Sequence, residues 1–508
     1  MPCMRSLLHT GLLAGGSLIA VDAFATDWPQ WGFDPAHSAN NTAETTVDAS
    51  NVDQLEQKYA VTLTGRVNAA PVFAEGIPTA SGTKDLLFVT AQSGRITAID
   101  ADDGSVVWSK TTTGGHTPIE SSPAVDPDRQ FVYSYGADGK AHKYAIGDGN
   151  EITSAGWPQT ITSKPGVEKG ASALATAVSG GIARLYAVTN GYVGDGGDYQ
   201  GHLVTIDLAT GTSRVFNSMC STITTLIASG GCSGWQSGIW GRPGAVYDAG
   251  TDRVYITTAN GEFDANDGGH NWGDSVLALN PDGTGAGGGM PLDSHTPTNY
   301  AQLDSGDVDL GSASLSILPA PAGSTVAHIG VQTGKDSKLH LIDLDDMGGV
   351  GLPPPSGGGG EIEVIDVPIS EFWMKTQSVV WVDTHGDGAA WVYVGNGNGI
   401  SGLKLTLTAS NVPHLQPTWQ QNSDATSAII ANDIVYHAGS CPAGTCLIAR
   451  DPKSGGALWT SPAIGSLKWG SPILVDGALY MVNYASNAQL YKFALPFDDT
   501  IFANGFDG

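Results

Sequence analysis

The chain has 508 residues, with 50 acidic side chains against 23 Lys and Arg, for a formal net charge of −27. That balance excludes a basic, phosphate-tracking surface, so nucleic acid is a poor partner; it suits solubility and tolerates divalent cations. Gly (69) and Pro (27) are frequent without reaching low complexity, and 41% of the residues are hydrophobic, which favours a turn-rich, all-β protein with ample material for a core.

Arg5, the apolar run LLHTGLLAGGSLIAV and a small-residue site at Ala23-Phe24-Ala25 predict a signal peptide over 1–25 and a secreted or periplasmic mature protein. The run is too short and Gly-rich to span a membrane, and no other stretch is a candidate span. Cleavage removes Cys3 and leaves four cysteines, for which the local pairs Cys220/Cys232 and Cys441/Cys446 are favoured in an oxidising compartment. There is no CxxC and no CxxCH, which argues against a cysteine metal site and against covalently attached c-type haem.

The mature chain opens on DWPQWGFDPAHSANN, followed by a polar stretch, NVDQLEQKY, with room for a helical turn. From residue 70 a unit recurs, clearest as APVFAEG, DLLFVTA, QSG, RITAIDADDG and SVVWSK over 70–110. Alternating apolar residues predict four short strands, and the DDG turn predicts a hairpin. Seven more units follow at 121–149, 173–211, 244–283, 313–346, 378–407, 427–459 and 471–495. Eight repeats of 40–60 residues predict an all-β, eight-bladed β-propeller with four-stranded antiparallel blades, a single domain over 26–497 with a tail at 498–508. Trp108 and Trp459 follow the Asp-x-x-(Ser/Asp)-Gly turn at matching places, where an aromatic can dock between blades. The Gly/Pro-rich stretch 348–360 is expected to be an inter-blade loop.

The longest and most oxygen-rich loop lies within 257–283, TTANGEFDANDGGHNWGDSVLALNPDG, and carries Asn260, Glu262, Asp264, Asn266, Asp267, Asn271 and Asp274. Its side chains are either cation ligands or the decoration of a turn. No GxSxG, HExxH or phosphate-loop pattern occurs, and DGDGAAW around Asp387 lacks a full EF-hand loop.

FVTAQSGRITAIDADDGSVVW resembles the tryptophan-docking repeat of pyrroloquinoline quinone (PQQ) proteins. WPQWGFDPAHSANN and the eight units resemble the propeller of quinoprotein alcohol dehydrogenases, the polyvinyl-alcohol dehydrogenase group included. The resemblance implies a central funnel in which PQQ lies on a Trp, a Ca²⁺ or lanthanide ion joins it to protein oxygens, and an Asp is the general base. It further implies an alcohol or sugar substrate and a separate electron acceptor such as a cytochrome. On the family's pattern, TTANG through WGDSVLALNPDG puts Asn260 at the metal-ligand Asn, the competing reading being an Asx-turn. In GYVGDGGDYQGHLVTIDLATG the family's ligand Glu is missing, and Asp195 or Asp198 is left to supply the carboxylate. LDSGDVDLGSASLSIL matches the catalytic segment, with Asp307 as base and Asp309 as the second Asp associated with lanthanide use. Two carboxylates at that spacing on an extended segment point to opposite faces unless the backbone is irregular. Lys335, in VQTGKDSKLHLID, stands where the family places a cation beside the quinone carbonyls; otherwise it is an exposed turn lysine. Trp240, in SGIWGRPGAVYD, resembles the floor Trp; otherwise it is a core residue. The family's adjacent cysteine pair is absent, and 92–95 and 114–122 occupy that region. The same repeat also builds scaffold propellers without cofactor, so a protein- or glycan-binding role is the second reading. Convergence of these residues in one funnel separates the two.

Overall fold

The computed structural model describes residues 27–350, 360–369 and 374–496. The expected signal peptide, the tail 498–508 and most of the Gly/Pro-rich stretch lie outside the described residues. The fold is an eight-bladed β-propeller of mainly four-stranded antiparallel sheets. Blade 1 shows the logic: Val72–Thr79, Gly82–Thr90, Arg95–Asp100 and Val106–Thr111 follow one another by short turns. Leu86, Leu87, Phe88 and Val89 are all buried. Successive side chains point to opposite faces of a strand, so both faces of this sheet are covered, and a continuous apolar run is what such a strand requires. The first strands of blades 2 to 8 are Ala124–Val125, Ala175–Ser179, Val246–Asp248, Ser316–Pro319, Val379–Val382, Ile429–Ala431 and Ile473–Val475.

Tryptophans join neighbouring blades as the repeat implied. Trp108 donates from Nε1 to Ile146 O of blade 2 at 3.0 Å, and Trp459 donates to Leu55 O, at the edge of blade 8, at 3.0 Å. Trp419 does the same between blades 6 and 7, donating to Pro452 O at 2.8 Å.

Two features lie outside the expected units. The polar stretch 51–59 carries its helical turn as the 3-10 turn Val52–Gln54, and then becomes the strand Glu56–Thr62, which the units did not include. That strand pairs antiparallel with Gln489–Ala494 and completes blade 8, so the ring is closed by its own two ends. The described residues on either side of 351–359 do not belong to a connection between blades 5 and 6. Gly349–Val350 adds in parallel to the outer edge of blade 4, against Asp293–Thr296, and Glu361–Asp366 is the fourth strand of blade 5. The sequence unit ended at 346 because Glu361–Asp366, reading EIEVID, lies beyond the Gly/Pro run.

The N-terminal segment crosses the middle of the ring. Backbone or side-chain hydrogen bonds tie Trp28 to Phe73, Pro29 to Val125, Gln30 to Thr176, Pro35 to Tyr247, Ala39 to Ile430 and Asn41 to Leu474. Those partners lie on the first strands of blades 1, 2, 3, 4, 7 and 8, which therefore face the axis. Trp31 is 1% exposed and packs on Ala70 and Ala173. In an antiparallel four-stranded blade, the connection into the first strand and the loop between the second and third strands emerge on the same face. Both kinds of connection therefore surround one mouth of the channel.

Candidate active site in the propeller funnel

Asn260 follows the second strand of blade 4, Arg253–Thr257. Its N–H donates to Asp309 Oδ1 at 3.0 Å, and its Nδ2 donates to Asp307 Oδ1 at 3.3 Å. Its Oδ1 is buried and makes no hydrogen bond, so the side chain does not form an Asx-turn. Asp307 takes the left-handed conformation, φ 53°, and this irregular backbone brings both carboxylates to one partner instead of opposite faces. Lys335 Nζ stands 2.9 Å from Asp307 Oδ1 and 2.6 Å from Asp309 Oδ2. The lysine is buried, with 7% of its side chain exposed, whereas 65% of the Asp307 side chain is open to solvent. Burial would lower the Lys335 pKa, but the Asp309 and Asp307 carboxylates outweigh it and raise it; burial holds Asp309 above the usual carboxylate range despite Lys335.

Close backbone approach makes this cluster possible. A Cβ on Gly311 would lie 2.5 Å from Thr258 C, and one on Gly334 would lie 2.9 Å from Leu310 Cα. Asp274, from the far end of the loop, accepts the Leu310 N–H at 2.9 Å and holds the segment after Asp309. Burial pushes its pKa well up. The rest of that loop is a decorated turn: Asn271 donates to Glu262 Oε2 and Asp264 Oδ2, both at 2.9 Å.

Asn260, Asp307, Asp309, Lys335, Trp240 and Asp195 line one cavity of about 180 Å³. It adjoins a second of about 380 Å³, and Trp469 forms part of both walls. Lys335 lies 5.7 Å from the Trp240 ring centre, and Trp240 and Trp469 are 6.1 Å apart. Asp195 is exposed and accepts the Tyr199 hydroxyl at 2.8 Å. Asp198 does not join the cluster; it accepts from Ser229 Oγ at 2.9 Å and Gly230 N at 3.0 Å.

The sequence reading missed the floor. Glu120 accepts Lys169 Nζ at 2.6 Å, Asn68 Nδ2 at 2.9 Å and Lys468 Nζ at 3.2 Å. Burial favours its neutral form, but Lys169, Arg242 and Lys468 win and hold its pKa down at about 2. Arg242 is buried 4.9 Å from the Trp469 ring centre, with Lys468 4.1 Å from the same ring. A periodic signal marks these residues. Asn68, Glu120, Arg242, Lys375 and Trp469 each stand four positions before a first strand, those beginning at Val72, Ala124, Val246, Val379 and Ile473. That repeat position builds much of the funnel floor. Although the chain has only 23 basic residues, five of them, Lys169, Arg242, Lys335, Lys375 and Lys468, line the two cavities.

The family model described as outer membrane protein assembly factor BamB matches residues 16–280, just over half of the chain, and the chain belongs to this PQQ-repeat family. No curated protein matches the sequence. Among solved structures, a europium-containing methanol dehydrogenase is similar with TM-score 0.66 and 14% identity over 92% of this chain and 98% of that one. Quinohemoprotein alcohol dehydrogenases from Comamonas testosteroni (16% identity) and Pseudomonas putida HK5 (15%) each give TM-score 0.63 over 92% of this chain and 80% of theirs. At these identities the shared property is the fold.

Proposed function

We propose that this protein is an exported quinoprotein-like dehydrogenase that oxidises an alcohol or sugar with PQQ and a Ca²⁺ or lanthanide ion in the funnel. One observation carries the reading: Asn260, Asp307, Asp309, Lys335 and Trp240, from four separate connections, meet in one cavity with Asn260 Oδ1 buried and unpartnered. Export is supported by the signal-like start and by the disulfides Cys220–Cys232 and Cys441–Cys446.

The residues fit both groups. An orphaned amide oxygen beside a buried carboxylate is an oxygen donor set for a hard cation. Two indoles surrounded by Lys468, Arg242 and Lys335 suit a flat quinone bearing carboxylates. Bound there, PQQ supplies the two-electron acceptor for hydride from the alcohol carbon. Asn260 and Asp309 would hold the ion, with Asp195 the carboxylate available from blade 3. Asp307, open to the funnel, accepts the hydroxyl proton. Lys335, held charged by Asp307 and Asp309, would place a positive charge beside the bound quinone. Trp240 and Trp469 orient the ring plane. The electron acceptor would be a separate protein such as a cytochrome.

Purified protein supplied with PQQ and either metal is expected to reduce an artificial acceptor in the presence of an alcohol. Asp307→Asn is expected to lower kcat by about 10²–10⁴-fold while leaving PQQ uptake intact. Equal kcat in the variant would remove Asp307 from the base role.

A protein- or glycan-binding scaffold is the second reading. It is favoured by Val193, 89% exposed on the cavity wall, and Trp235, 48% exposed beside it. Failure to bind PQQ with any of these metals would favour it.

A further inference from the structure

Away from the funnel, where blades 4 and 5 meet, two histidines and a carboxylate face one another. His295 lies on the outer strand Asp293–Thr296 of blade 4; His340 and Glu361 lie on Lys338–Asp343 and Glu361–Asp366 of blade 5. One ligand atom from each of the three falls within 4.8 Å of the others. His295 Nε2 is 3.6 Å from Glu361 Oε1, and His340 Nδ1 is 2.5 Å from the same oxygen. On its far side, His340 Nε2 is 2.8 Å from Asp336 Oδ2. A carboxylate behind an imidazole fixes the ring's tautomer and orientation for a metal at its other nitrogen.

An ion pair alone explains only part of this cluster. His142 in blade 2 repeats the Asp-x-Lys-x-His pattern, with Nε2 3.0 Å from Asp138 and Nδ1 2.6 Å from Glu151. That pair is complete in itself. The blade 5 pair is joined by His295 from blade 4, which is 1% exposed and has no hydrogen bond within 3.5 Å at either ring nitrogen. A buried imidazole whose nearest acceptor stands beyond hydrogen-bond distance is unfavourable, and the Nε2 of this one is directed at the shared oxygen of Glu361, 3.6 Å away. A metal ion among the three supplies the missing partner for Nε2.

We propose that His295, His340 and Glu361 bind a divalent transition-metal ion, Zn²⁺ by the chemistry of the donor set, with Asp336 orienting His340. Two imidazoles and a carboxylate suit Zn²⁺ and leave a fourth tetrahedral position for water. The ion joins the outer strand of blade 4 to blade 5. It also braces the turn in which Asp336 follows Lys335, although the site does not depend on the funnel's function.

The test is zinc titration of the chelator-stripped, full-length protein in excess Ca²⁺, so that oxygen-only sites are filled. One Zn²⁺ per chain at micromolar affinity or tighter is expected, with a rise in Tm and a zinc-edge X-ray absorption spectrum showing two imidazoles. His295→Ala, whose ring gives up only the 3.6 Å contact with Glu361, is expected to weaken uptake about 100-fold with an unchanged circular dichroism spectrum. His142→Gln is expected to bind as the wild type does. No uptake by the wild type, uptake abolished by Ca²⁺, an all-oxygen spectrum, or undiminished binding by His295→Ala would each overturn the proposal.

Discussion

Glu120 shows how one buried charge can shape a site in an acidic protein. It faces Lys169, Arg242 and Lys468, and its carboxylate is held down at about 2. A folded-state value below the unfolded one contributes stability that is fully present above about pH 4.3 and lost as pH falls towards the folded value. Glu120→Gln leaves buried cations without their counter-charge, and removing one partner of such a group costs about 3–5 kcal/mol. The urea midpoint at pH 7 is expected to fall accordingly, and stability between pH 4.5 and about pH 2 to depend less on acidity than in the wild type. An unchanged midpoint would mean that the network is slack. At Asn260 the consequence is functional. Asn260→Ala removes the orphaned Oδ1 and is expected to weaken Ca²⁺ or lanthanide binding by tenfold or more, measured by calorimetry with PQQ present, with little change in Tm.

Among the elements, the N-terminal segment contributes more than its irregular sequence suggests. It bonds to the first strands of blades on all sides of the axis, and Trp31 fills the space between Ala70 and Ala173. Trp31→Ala is expected to cost about 3–5 kcal/mol, read as a lower urea midpoint with an unchanged slope. A loss below about 1 kcal/mol would show that the segment is only laid over the ring. The repeat units themselves were legible from apolar alternation and the DDG-type turns, because each blade must bury both faces. Glu56–Thr62 was not. Its pattern is half-exposed along an edge, and its partner Gln489–Ala494 lies at the other end of the chain. No local period reports such a pairing. Glu361–Asp366 escaped for a related reason: a Gly/Pro run separates it from the rest of its blade.

At the scale of the whole molecule, the ring turns eight local repeats into one shared cavity. The residues that resemblance singled out, Asn260, Asp307, Asp309, Lys335 and Trp240, come from four separate connections and are adjacent in the funnel. The sequence left Asp195 and Asp198 equivalent, because a three-residue spacing in a glycine-rich loop does not determine which side chain reaches the cavity; Asp195 lines it, whereas Asp198 bonds to Ser229 and Gly230. The cationic floor was hidden in a different way. Glu120, Arg242, Lys375 and Trp469 share a repeat position but not a chemical type, so self-similarity passes over them. With Lys169, Lys335 and Lys468 they set a positive, aromatic pocket in a chain of net charge −27. The most direct measurement is a PQQ titration of the purified protein with Ca²⁺ or a lanthanide, followed by tryptophan fluorescence and by alcohol-dependent reduction of an artificial acceptor. Saturation at one PQQ per chain, quenching that is reduced in Trp240→Ala, and turnover lost in Asp307→Asn are the predicted results. Absence of both PQQ binding and turnover with every metal tried would contradict the dehydrogenase reading.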